Sequence, residues 1–153
     1  MKLYLVRHAK AGSRSDWDGD DLDRPLSKNG WWQAEALADR FAKRSIVALI
    51  TSPYVRCRQT LEPIARRLDL DIATDHRLAE GEPFEPVLTL LDELPDGSVL
   101  CSHGDIVPAT MAALERRGCA ITGVADWRKA TVWVLERDPD GLITGAKAWP
   151  PPM

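Results

Sequence analysis

Cysteine is scarce in this chain and poorly placed for the chemistry it usually signals. The three present, Cys57, Cys101 and Cys119, are odd in number and show no Cys-x-x-Cys spacing. That argues against a disulfide framework and fits reduced, buried thiols. None opens a Cys-x5-Arg loop, so a cysteine nucleophile acting on phosphate is excluded. Long hydrophobic runs are also missing: nothing approaches the roughly 20 apolar residues of a membrane span, so no membrane partner is expected. No basic stripe with interleaved aromatics appears and the net charge is −3, which excludes nucleic acid as a partner. No charged leader with an apolar run precedes the first strand pattern, so a cytoplasmic location is expected. Repeats, low-complexity stretches and interdomain linkers are absent. The 153 residues are enough for one domain with a sizeable core, expected over 1–149, with a Pro-rich tail at 150–153.

What the chain does have is alternation. Apolar runs of strand length at 2–6, 46–51 and 98–102, with a shorter one near 70–74, alternate with segments of helical spacing at 27–44, 54–68, 84–93 and 105–117. In the first of these helices Trp31, Ala34, Leu37, Ala38 and Phe41 recur on one face, and Ser27 is a plausible N-cap. Trp31 belongs to that stripe; Trp32 lies off it. Residues 130–136 and 142–149 flank Asp138-Pro139-Asp140-Gly141 and read as a hairpin. The pattern predicts an α/β fold, a three-layer α/β/α sandwich with a mostly parallel central sheet and a C-terminal hairpin.

Three of the strand runs end in reactive or cationic side chains. Lys2-Leu3-Tyr4-Leu5-Val6 ends in Arg7-His8, Ser98-Val99-Leu100-Cys101-Ser102 ends in His103-Gly104, and Ile46–Thr51 ends in Ser52-Pro53, with Arg56 in the first turn of the helix that follows. In open α/β sheets ligands bind at the carboxyl edge of the strands. Arginine offers a planar fork suited to phosphate. Histidine offers a base, acid or nucleophile near neutral pH. An arginine in the first turn opposes the helix dipole unless an anion is expected there.

These residues resemble the histidine phosphatase superfamily, the phosphoglycerate-mutase-like family. The matching positions are Leu5-Val6-Arg7-His8-Ala9, Arg24-Pro25-Leu26-Ser27 with Gly30 and Gln33-Ala34, Ser52-Pro53 with Arg56 and Gln59-Thr60, Leu78 with Glu80, and Ser102-His103-Gly104. They run in the family's order from residue 3 to 104. The chain is most similar to the short bacterial branch of SixA-type phosphohistidine phosphatases and of phosphatase domains fused to Nudix hydrolases. Ala9 stands where much of the family has glycine. Arg14 stands where larger members often carry a phosphate-binding asparagine, and no role is carried over to it.

The resemblance implies metal-independent, cofactor-free hydrolysis of a phosphoester or phosphoramidate through a phosphohistidine on His8. Arg7, Arg56 and His103 would hold the phosphoryl oxygens, and Glu80 would protonate the leaving group, with Glu82 as the alternative acid. The implied partner is a phosphorylated small molecule or a phosphohistidine protein. Phosphoryl transfer needs positioning and charge stabilisation above all, and two arginines with a histidine supply that. A nucleotide phosphatase and a non-catalytic phospho-binding module are the alternatives. The acidic stretch 16–23 lacks the glycine and terminal acid of an EF-hand. It reads as a solvated loop bordering the pocket, whose carboxylates would repel highly anionic substrates. His76 reads as ordinary surface.

Overall fold

The computed structural model describes all residues, 1–153. Seven strands form one mixed sheet: β1 (Lys2–Arg7), β2 (Ala48–Thr51), β3 (Ile72–Thr74), β4 (Ser98–Ser102), β5 (Ala120–Ile121), β6 (Val132–Arg137) and β7 (Ile143–Trp149), in the spatial order β3-β2-β4-β1-β6-β7-β5. Strands β1 to β4 are mutually parallel. Strand β6 runs antiparallel to β1 and to β7, the latter as the Asp-Pro-Asp-Gly turn between them requires. The four helices are α1 (Lys28–Phe41), α2 (Val55–Leu68), α3 (Glu85–Glu93) and α4 (Ile106–Arg116).

The layers follow from side-chain alternation along the strands. In β1, Tyr4 and Val6 face Ala34, Leu37 and Phe41 of α1 and Cys57, Leu61 and Ile64 of α2. Leu3 and Leu5 face the other way, into Val87, Leu88 and Leu91 of α3 and Ile106 and Met111 of α4. A central strand covered on both faces must be apolar on both, which explains the unbroken run Leu3–Val6. Burying each such side chain is worth about 1.5–3 kcal/mol.

The expected sandwich, parallel core and hairpin are all present. Strand β5 was not foreseen. It is two residues long, parallel to β7 at the sheet edge, and too short to carry a period. Helix α2 begins at Val55 rather than Tyr54, and Arg56 lies in its first turn. Ser27 caps α1, its hydroxyl accepting from the Gly30 N–H at 3.1 Å. Trp31 packs half-buried against the α1–α2 core, Trp32 is exposed and His76 is exposed. Residues 150–153 carry no helix or strand, yet Pro151 is buried and the Pro152 carbonyl accepts from Gln33 Nε2.

The loop 9–26 is pinned at its base. Gln33 Oε1 accepts from the Lys10 N–H at 3.0 Å, Gln59 Oε1 from the Leu26 N–H at 2.8 Å, and Thr60 Oγ1 from the Ala9 N–H at 2.9 Å. Gly30 lets the loop pass: a Cβ there would lie 1.9 Å from the Lys10 carbonyl oxygen. In an exposed helix, Gly→Ala is favourable by about 1 kcal/mol. Here the sign should reverse. Gly30→Ala is expected to destabilise the protein by about 2 kcal/mol or more, through overpacking against backbone that cannot yield. Urea unfolding measures it, and a gain in stability would contradict the packing described.

Candidate active site

The carboxyl ends of β1 and β4 lie side by side, Arg7 opposite Ser102. The His8 N–H donates to the Ser102 carbonyl at 3.0 Å. That pairing brings the rings of His8 and His103 to 5.5 Å between centroids, although they are far apart in sequence. Both are buried, His8 5% and His103 0% exposed. The amino ends of α2 and α4 meet the same edge, adding two partial positive charges.

Each ring has a fixed role for one nitrogen. His8 Nδ1 lies 2.7 Å from the Ala9 carbonyl oxygen, which can only accept. Nδ1 therefore carries the proton, and Nε2 is left with its lone pair and no partner within the protein. Burial above all, with His103, Arg56 and Arg7 nearby, drives the His8 pKa down to about 3; the ring is neutral at ordinary pH. His103 Nε2 lies 2.8 Å from Ser52 Oγ and 3.5 Å from Cys57 Sγ. Its Nδ1 is buried without a hydrogen bond and sits 3.9 Å from Glu80 Oε1.

A cavity of about 260 Å³ opens over His8, lined by Arg7, Arg14, Arg24, Arg56, Glu80, Gly104, Asp105 and Lys129. No lining residue is hydrophobic. Arg7 Nη1 donates to the Trp127 carbonyl at 2.6 Å, and its buried Nε has no partner. Gly104 packs flat under this guanidinium: a Cβ would fall 2.7 Å from Arg7 Cζ. Arg56, 1% exposed, donates from Nη2 to Asp21 Oδ2 at 3.1 Å and stands 3.4 Å from Glu80 Oε1. The cavity is thus an anion site in shape and charge. No group of three or more His, Cys, Asp or Glu side chains is arranged to hold a metal ion.

All five residues singled out in the sequence, Arg7, His8, Arg56, Glu80 and His103, converge here. Glu82 is exposed outside the lining. The loop 16–23 needs correcting, because it is not simply solvated. Asp21 reaches in and pairs with Arg24 at 2.9 Å, Arg56 at 3.1 Å and Arg14 at 3.6 Å. Burial works against ionising Asp21, but the Arg24 hydrogen bond and the Arg56 and Arg14 charges hold its carboxyl below the usual range. The Asp21 charge is thereby neutralised locally, while Asp16, Asp18, Asp20 and Asp23 stay exposed. Arg14, given no role from sequence, lines the cavity and lies 3.6 Å from Glu80. Sequence reasoning missed Lys129 altogether. Arg24 sat inside a motif already noticed, whereas Lys129 sits in a loop with no pattern.

Fold and site together define an α/β protein with a histidine-centred, arginine-lined cavity at the carboxyl edge of its sheet. Residues 3–83 match the family model for the histidine phosphatase superfamily, branch 1, and the chain belongs to that superfamily. It is 34% identical to an 8-oxo-(d)GTP phosphatase of Mycolicibacterium smegmatis across 98% of this chain and 48% of that protein. It is also 34% identical to a GpmB of Proteus mirabilis, named a probable phosphoglycerate mutase, across 94% of this chain and 54% of the relative. The chain spans about half the length of these curated relatives. Among solved structures, the protein histidine phosphatase SixA complexed with tungstate superposes with a TM-score of 0.76 at 20% identity, covering 97% of this chain and 94% of that one, a likeness of fold.

The depressed His8 pKa has a consequence for stability. In the unfolded chain His8 takes up a proton near its ordinary 6.5; in the folded protein it resists until about 3. Its contribution is fully present above pH 6.5 and is lost progressively as pH falls toward 3. Urea unfolding at a series of pH values should show this decline, and His8→Gln should flatten it. An unchanged slope in the variant would mean that His8 is not held neutral.

Proposed function

We propose that this chain is a metal-independent phosphatase that hydrolyses a phosphorylated substrate through a phosphohistidine on His8. The observation that carries the reading is the free Nε2 of a neutral, buried imidazole facing a cavity walled by arginines. His8 Nε2 attacks phosphorus, the bond to the leaving group breaks, and water then attacks the phosphohistidine to release phosphate. Splitting one displacement into two lowers each barrier. Arg7, Arg56 and His103 Nδ1 hold the phosphoryl oxygens and stabilise the charge that builds in the transition state, the part a metal ion plays elsewhere.

In this reading Glu80, which lines the cavity, protonates an oxygen leaving group. Its position at the cavity favours a phosphoester over a phosphoramidate, whose nitrogen takes a proton from solvent readily. The 8-oxo-(d)GTP phosphatase relative, matched over nearly the whole chain, supports a nucleotide-like small molecule. A phosphohistidine protein, acted on in the SixA manner, is the second reading, supported by the shared fold.

His8→Ala should abolish turnover of p-nitrophenyl phosphate while leaving the circular dichroism spectrum intact. Brief incubation of the wild type with substrate should trap an acid-labile, base-stable phosphoenzyme. Near-normal activity in the variant overturns the proposal. Glu80→Gln should slow alkyl phosphate hydrolysis by about 10²–10⁴-fold and p-nitrophenyl phosphate far less. Equal loss on both would make Glu80 an electrostatic residue and not the acid.

A further inference from the structure

Beyond the groups used above, the cavity holds three cations with no assigned work; Arg14 faces the Asp21 and Glu80 carboxylates, which leaves two. One is Lys129. It forms no ion pair and no hydrogen bond, though it lines the cavity. Its placement is built in. Ala130, fully buried, takes the left-handed φ of 68°, which costs a non-glycine residue of order 1 kcal/mol. In that conformation its N–H is shared between the Arg7 and His8 carbonyls, at 3.0 and 3.1 Å. Next to it, Arg128 is locked to Asp126 at 2.6 Å, and Thr131 Oγ1 donates to the same carboxylate. The Trp127 ring lies 5.0 Å from the buried Trp133 ring. A strained, anchored loop thus holds the Lys129 backbone at the cavity rim, with its side chain exposed and unpaired.

The other cation is Arg24. Its side chain is only 8% exposed. Nε donates to Asp21 and Nη1 to the Gly12 carbonyl, leaving Nη2 uncommitted where the residue lines the cavity. Lys129 is exposed at the rim, yet partial burial first and then the Arg7 and Arg24 charges lower its pKa, so the cations repel one another across the cavity.

We infer that Lys129 and Arg24 form a second anion subsite beside the phosphoryl site, so that the preferred substrate is a phosphoanhydride such as a nucleoside diphosphate. This rests on the phosphatase reading above. His8 Nε2 attacks the terminal phosphorus and the bond to the bridging oxygen breaks. The electron pair leaves on the departing monophosphate, whose growing charge Lys129 and Arg24 share. Water then cleaves the phosphohistidine. The extra subsite thereby assists the leaving group as well as binding.

Isothermal titration with inorganic phosphate and with methylenediphosphonate reads the subsite without turnover. The wild type should bind methylenediphosphonate about tenfold or more tightly than phosphate, the worth of one charge-assisted contact. Lys129→Met should lose most of that preference, weakening methylenediphosphonate about tenfold and phosphate at most roughly threefold through the lost field. Lys129→Arg should restore it. Equal wild-type affinity for the two ligands, or equal weakening of both in Lys129→Met, overturns the inference. Failure of the phosphatase reading shows separately, as no turnover of p-nitrophenyl phosphate by the wild type, whatever the titrations give.

Discussion

Strands β1 and β4 run parallel with Arg7 opposite Ser102, and the His8 N–H closes the ladder on the Ser102 carbonyl. Arg7, His8 and His103 take their positions from that pairing. It sets His8 against His103, and it turns Arg7 toward the Trp127 carbonyl. It also places the sheet edge where the amino ends of α2 and α4 arrive. The register is held by apolar residues on both faces, Leu3 and Leu5 on one and Tyr4 and Val6 on the other. A slip of one residue would exchange these sets and carry His8 away from the edge. The chemistry is therefore anchored by ordinary core packing several residues away.

The second constraint is electrostatic. Four arginines and a lysine share one cavity with two carboxylates in its wall. Left alone they would splay into solvent. Asp21 prevents this by reaching three of the arginines at once, and backbone carbonyls of Gly12, Asp21 and Trp127 each accept from one guanidinium nitrogen of Arg24, Arg56 and Arg7 respectively. The donors are consequently aimed before any ligand arrives, and none of that ordering has to be done at the moment of binding.

Much of this was legible in the sequence, for reasons that differ by residue. Arg7-His8 and His103-Gly104 announce themselves because a buried strand must end abruptly at a sheet edge, and a histidine closing a strand-length apolar run marks that end. Gln33, Gln59 and Thr60 were visible as matching positions, but their work emerged only from geometry: they tether the loop that follows the nucleophile strand. Asp21 was misjudged because a run of acidic residues looks alike whether solvated or folded inward, and only the buried Arg24 and Arg56 decide between the two. Lys129 left no trace, since its position depends on a left-handed alanine that no period or motif encodes. Strand β5 was hidden for a plainer reason, being two residues long.

The contact between Gly104 and Arg7 ties the fates of two positions nearly a hundred residues apart in the chain. While the guanidinium keeps this position, a Cβ at 104 would lie 2.7 Å from it and push it aside. In a lineage that lost the arginine, position 104 would be released at once and open to any side chain the turn tolerates. Once filled, it would block the arginine's return, and restoring the original pair would take two changes in a fixed order. Loss of this guanidinium is therefore easily made permanent, and descendants that have drifted away from phosphate chemistry should keep a record of it in the residue that replaced the glycine.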